Sequence, residues 1–130
     1  MLNGIIPSSW QPQLHAALRI VSGLLFLEHG TSKLFHWPVP MGDGPLPPLM
    51  LVAGVIELVG GLFIAVGFFT RLVAFVLAGE MAVAYFLAHM PNSIYPLVNH
   101  GEAAILFCFI FLFLAAAGAG PYSVDQNRNP

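Results

Sequence analysis

PLMLVAGVIELVGGLFIAVGFF, from Pro48 to Phe69, holds one ionisable residue, Glu57, in 22 positions. The hydrocarbon core of a bilayer, about 30 Å thick, takes roughly 20 apolar residues in a helix whose backbone bonds close within the segment. This stretch has that length and composition, and Pro48 suits a first helical position. It reads as a transmembrane helix. Working outward, three more stretches have the same character: about 14–35, closed by Trp37-Pro38 and VPMGDGPLPP; about 71–90, stopped by Pro91-Asn92; and about 97–117, ended by Gly118 through Pro121. Residues 120–130 form a polar tail, expected to be mobile.

Composition leads to the same class. Of the 130 residues, 58% are hydrophobic and 8% charged, about a third of the charge a soluble domain carries. So few charges cannot clothe a water-facing globule. The net charge of −2 offers no basic surface, which excludes a nucleic-acid binder. The single cysteine, Cys108, lies in an apolar run, so no internal disulfide, Cys-x-x-Cys redox pair or cysteine zinc cage can form. The N-terminal MLNGIIPSSWQPQ lacks the basic head and short apolar core of a removable signal, and the first apolar run is expected to remain as a span.

Four spans in sequence order, joined by a short Gly67–Arg71 turn between the second and third, predict an all-α membrane protein in one domain. Its architecture is an up-down antiparallel four-helix bundle. Arg19, Arg71 and Arg128 fall on the side holding both termini, against Lys33 on the other. The positive-inside rule then predicts an inner-membrane protein with cytoplasmic termini. Lipid is the expected surroundings, and small-residue seams on the second and third helices permit a homo-oligomer.

Charge inside a span costs about 2.5–3.5 kcal/mol on insertion scales. Yet each helix carries one glutamate: Glu28, Glu57, Glu80 and Glu102. At about 1.5 Å per residue, all four lie roughly 7 to 15 Å below the outer face, at one level. His29 and Lys33, one turn apart, share it, and His100 sits just above. Gly54, Gly60 and Gly61 surround Glu57 with a groove of small residues, and Ala74, Ala78 and Ala82 give a similar seam near Glu80. The pattern predicts an inward-facing polar pocket; the simpler reading is that the glutamates only tie helices together.

A quinone-like ligand needs an apolar slot for its ring and a few polar groups for its oxygens. Glu28 and Glu57 are candidate catalytic proton carriers. His29, Lys33, Glu80, Glu102 and His100 are candidate ligand-binding residues. Haem would need two facing histidines at one depth, and membrane-edge histidines such as His89 and His100 are common without it. A carboxylate-bridged metal is not expected, because no helix carries Glu-x-x-His. A non-catalytic scaffold, or a protein passing small solutes or protons, is the alternative, although the inner half lacks the polar residues of a conduction path.

Five motifs in order resemble the DoxX family: FLEHGTSKLF at 26–35, GVIELVGG at 54–61, GFFTR at 67–71, NHGE at 99–102 and GPYSVD at 120–125. Together they span nearly the whole chain. The resemblance implies a four-helix membrane fold. Because relatives are associated with a terminal quinol oxidase, a thiosulfate:quinone oxidoreductase and thiol-redox proteins, it also implies an accessory role beside a redox partner subunit, with quinone as the possible cofactor. Carried onto this chain, the motif positions are Glu28, His29, Lys33, Glu57, Thr70, Arg71 and Glu102.

Overall fold

The computed structural model describes residues 4–128, and every described element is helical. The helices are α1 (Gln11–Phe35), α2 (Pro48–Val66), α3 (Thr70–Ala84), α4 (Pro96–Asn99), α5 (Glu102–Ala117) and α6 (Val124–Arg128). A 3₁₀ turn, Ser8–Trp10, precedes α1, while a π turn, Tyr85–His89, and a 3₁₀ turn, Met90–Asn92, prolong α3. Two helices are long and apolar enough to cross a membrane: α2, and α3 with its extension to Asn92. The 25-residue α1 carries Arg19, Glu28 and Lys33, and α5 is apolar but only 16 residues long.

Glycines set the tightest packing. Gly23 and Gly30 on α1, two turns apart, meet Gly61 and Gly54 on α2 in antiparallel register. An ideal Cβ on Gly30 would lie 2.5 Å from the Leu58 nitrogen, and one on Gly61 would lie 2.5 Å from the Leu27 nitrogen. Only hydrogen fits where two backbones come this close. The small-residue groove read from the sequence therefore divides: Gly54 and Gly61 face α1, whereas Gly60 receives the Leu77 side chain of α3. On the other half, Ala74, Leu77, Ala78 and Met81 of α3 pack in one core with Ala104, Phe111 and Leu114 of α5. Phe26 joins the halves, its ring 4.9 Å from Phe111 and 5.4 Å from Phe107 between centroids.

Three boundaries differ from expectation. The second helix ends at Val66 rather than 69, because Gly67 turns left-handed at φ 72°. The third does not stop cleanly at 90 but loosens into the π turn. The fourth is broken: His100 is left-handed, with φ 61°, and the Asn99 Oδ1 accepts the Gly101 N–H at 2.8 Å, so α5 restarts at Glu102.

The polar segment after α5 is docked, not loose, through residue 128; positions 129–130 lie outside the described residues. Arg19 is fully buried and donates to the carbonyl oxygens of Ala119, Pro121 (3.1 Å) and Tyr122 (2.7 Å). His15 Nε2 donates to Gly118 at 2.9 Å, and Arg71 donates to the last carbonyls of α5, at Ala115, Ala116 and Ala117. The Asp125 carboxylate accepts the Phe69 and Thr70 N–H groups, each at 2.8 Å, at the start of α3. The expectation of mobility failed because polar composition signals exposure, while these bonds go to backbone groups that composition does not display.

Burial alone would push the Asp125 carboxyl up, but the Thr70 and Phe69 donors and the Arg128 charge together hold it below its ordinary value of 3.8. A carboxylate lowered in the folded state stabilises above its unfolded pKa, and the contribution is lost as pH falls through the folded value. The clasp is therefore expected to be intact at neutral pH and to loosen below about pH 3.8. Asp125→Asn should loosen it at neutral pH as well. Proteolytic nicking of residues 118–128 in the detergent-solubilised protein measures this, and equal resistance of variant and wild type at pH 7 would count against the clasp.

Candidate functional site

Lys33 lies two turns beyond Phe26 and four beyond Arg19, so all three point from one face of α1, and all three are buried. Gly54 opens space for the Lys33 stem: a Cβ there would come to 3.0 Å from the Lys33 Cβ. One turn along α2, the Glu57 Oε1 accepts from the Lys33 ammonium at 2.5 Å. Both residues are buried, Lys33 8% and Glu57 2% exposed. It is the one ion pair between side chains among the described residues.

The α2–α3 register brings in the second carboxyl. Gly60 faces Leu77, so Glu57, nearly one turn before it, faces Glu80, one turn after. The Glu80 carboxyl is thereby a neighbour of the Glu57 carboxyl. Both Glu80 oxygens are buried, and no donor among the described residues reaches either. Two carboxyls and one ammonium thus meet out of water, a composition that one shared proton renders neutral.

These groups form one wall of a cavity of about 570 Å³ between the α1–α2 pair and the α3–α5 pair. The rest is mainly apolar, with Phe26, Ile56, Met81, Leu87 and Phe107 among its walls, and His29, His89 and His100 also line it. A cavity of this size and lining fits a ring with a short apolar tail. A second depression, about 780 Å³, lies against Gly4–Leu14 and has no ionisable lining residue.

Of the candidates read from the sequence, Lys33, Glu57, Glu80, His29 and His100 converge on this cavity. Glu28 and Glu102 do not: both are exposed and line no part of it. Depth was common to all four glutamates, but direction was not. Glu28 precedes Lys33 by five residues, which turns it roughly 140° around a helix of 3.6 residues per turn. Glu102 opens α5, where a carboxylate is well placed by the free N–H groups of the first turn.

Sequence reasoning missed the cavity rim. Asn99, buried, donates to the Tyr85 hydroxyl (3.1 Å) and the Ser93 carbonyl (2.9 Å), and its own carbonyl oxygen accepts from His89 Nδ1 at 3.0 Å. Asn99 thereby braces the π turn of α3 against the break between α4 and α5, and fixes His89 over the cavity. Its place in the NHGE motif was the available signal. The sequence alone offers His89 as a haem ligand facing His29 or as a membrane-edge residue, and gives no sign of its bond to Asn99.

Comparison with known proteins agrees with this arrangement of motifs. The chain is 43% identical over 122 residues to an uncharacterized protein of Haemophilus influenzae, an alignment covering 89% of this chain and 91% of that protein. No solved structure matches it. The DoxX family model matches residues 14–90, a range that holds the α1–α2 hairpin, Lys33, Glu57 and Glu80, and the chain belongs to the DoxX family.

Proposed function

We propose that this protein is a four-span inner-membrane bundle with both termini cytoplasmic, and that its cavity binds a quinone-class ring compound in service of a quinone-linked redox partner. The observation that carries the reading is a mainly apolar cavity of about 570 Å³ ending on Lys33, Glu57 and Glu80. An apolar ring and tail would occupy the slot, and the ring oxygens would meet the polar wall. Glu57 and Glu80, side by side, are suited to hold and release a proton next to such a ligand, while Lys33 balances their charge. Glu28, exposed and outside the cavity, drops out of the proton-carrying role. The clustering of Arg19, Arg71 and Arg128 at one end, against Lys33 near the other, supports the orientation.

Glu57→Gln tests the reading. The fold should survive, because a glutamine oxygen in the place of the Glu57 Oε1 can still accept from Lys33. Binding of a decyl-tailed benzoquinone and its hydroquinone to the nanodisc-embedded protein should weaken by about 1–3 kcal/mol, as expected when a buried polar partner is altered. Calorimetry gives the affinities and circular dichroism the fold. Unchanged affinity, or failure of the wild type to bind either form, would remove the ligand from this cavity. Passage of solute through liposomes with no electron acceptor present would assign the cavity to permeation instead.

A further inference from the structure

Four residues that line the cavity also belong to the outer surface of the bundle. Leu49 and Val52 of α2, Val83 of α3 and Leu87 of the π turn are all part of the lining, yet each is between 56% and 67% exposed. A side chain can be both only at an opening. Toward the α2–α3 turn the gap is shut by Leu77 against Gly60, while Gly23, Gly30, Gly54 and Gly61 bring α1 and α2 backbone to backbone. The core around Ala78, Ala104 and Phe111 joins α3 to α5. The opening therefore lies between the start of α2 and the end of α3.

The two helices that frame this mouth are those long and apolar enough to cross a membrane. Beside it the exposed positions are apolar as well, with Leu51 and Val55 on α2 and Phe86 next to Leu87. The side of α1 and α5 differs: there His29, His100 and Ala103 line the cavity and are exposed. Two imidazoles suit water or the polar end of a ligand, not a hydrocarbon chain. We propose that the tail of the ligand leaves the cavity between α2 and α3 and lies in the hydrocarbon of the bilayer, so that the ring arrives from the membrane and the length of its tail has no upper limit. The inference rests on the reading that the cavity holds a ring compound, and adds its class: a lipid-dissolved, long-tailed amphiphile. A closed cavity of about 570 Å³ would reject tails too long to fold inside it, whereas a side mouth accepts them. A chain that passes from bilayer to slot never meets water, so the apolar surface that keeps it in lipid does not oppose entry.

The test follows the tail directly. Two decyl-tailed benzoquinones carry a photoactivatable diazirine, one at the first tail carbon and one at the last, and each is irradiated with the full-length protein in nanodiscs before peptide mass spectrometry. The last-carbon probe is expected to label Leu49, Val52, Val83 or Leu87 together with lipid, and the first-carbon probe residues further in, such as Ile56 or Met81. Excess unlabelled decyl benzoquinone should suppress the protein labelling by both. The same ring on an isoprenoid tail several times longer should bind within about threefold of the decyl compound at equal concentration in the bilayer. Val52→Trp/Val83→Trp, which narrows the mouth from both helices, should weaken the decyl compound at least about tenfold and leave the tailless ring within about threefold. Suppressible last-carbon labelling anywhere but at the α2–α3 mouth overturns the exit while leaving a ring-binding cavity in place. So does a long tail that fails to bind where decyl binds, or decyl affinity that the two tryptophans leave unchanged. Absence of suppressible labelling by either probe overturns both this inference and the ligand-binding reading beneath it. Should the double variant not fold, the wild-type labelling alone decides.

Discussion

Lys33→Met is expected to destabilise the protein by about 3–5 kcal/mol, the usual cost of removing one member of a buried ion pair and leaving the other charge without compensation. Glu57 is almost wholly inaccessible and has Lys33 as its ion-pair partner, while its neighbour on α3 is a second carboxyl. Without the ammonium, two buried carboxyls face one another and the shared proton neutralises only one. The double variant Lys33→Met/Glu57→Met should recover most of the loss, because replacing a whole buried pair by apolar residues of similar volume is often neutral. Unfolding of single and double variants in mixed micelles, followed by circular dichroism, measures both. A single-variant loss below about 1 kcal/mol would mean that water reaches the pair and that it is not buried in the sense used here.

Alanine substitution at two glycines should move stability in opposite directions. At Gly61 an added methyl would sit 2.5 Å from the Leu27 nitrogen and 2.7 Å from the Gly23 carbonyl oxygen. Both neighbours are backbone, so no side chain can swing away and α1 as a whole must shift. Overpacking of this kind costs about 1–3 kcal/mol. At Gly79 the added methyl meets nothing within 4 Å. There the gain in helix propensity, about 0.5–1 kcal/mol, stands unopposed. Melting temperatures of Gly61→Ala and Gly79→Ala measured together test whether α1 and α2 meet backbone to backbone. Equal shifts would mean that they do not.

The level of the polar site was legible because helical rise converts residue number into depth, and Lys33, Glu57 and Glu80 do meet at one level. Its direction was harder to read. Depth alone grouped Glu28 and Glu102 with the others, although the seven-residue spacing of Arg19, Phe26 and Lys33 already marked the buried face of α1. A close helix approach was visible in Gly54, Gly60 and Gly61, but their partners Gly23 and Gly30 on α1 were not, because which helix each glycine faces depends on register, which no single segment specifies. The Arg19 clasp was illegible for a different reason. Its partners are carbonyl oxygens, which every residue has, about a hundred positions away in the chain. The break at His100-Gly101 was likewise concealed, because an apolar count treats Asn99 as a minor interruption, while its side chain stitches the loop.

The Arg19 clasp also orders events during synthesis. Arg19 is made early, whereas the carbonyls of Ala119, Pro121 and Tyr122 that it binds are among the last parts of the described chain to leave the ribosome. Until then α1 and α2 can pair, but a guanidinium at their end has no protein partners. A nascent chain cut short before residue 119 would lack those carbonyl partners altogether, leaving the Arg19 guanidinium to water and lipid headgroups and the α1 end of the bundle unfastened.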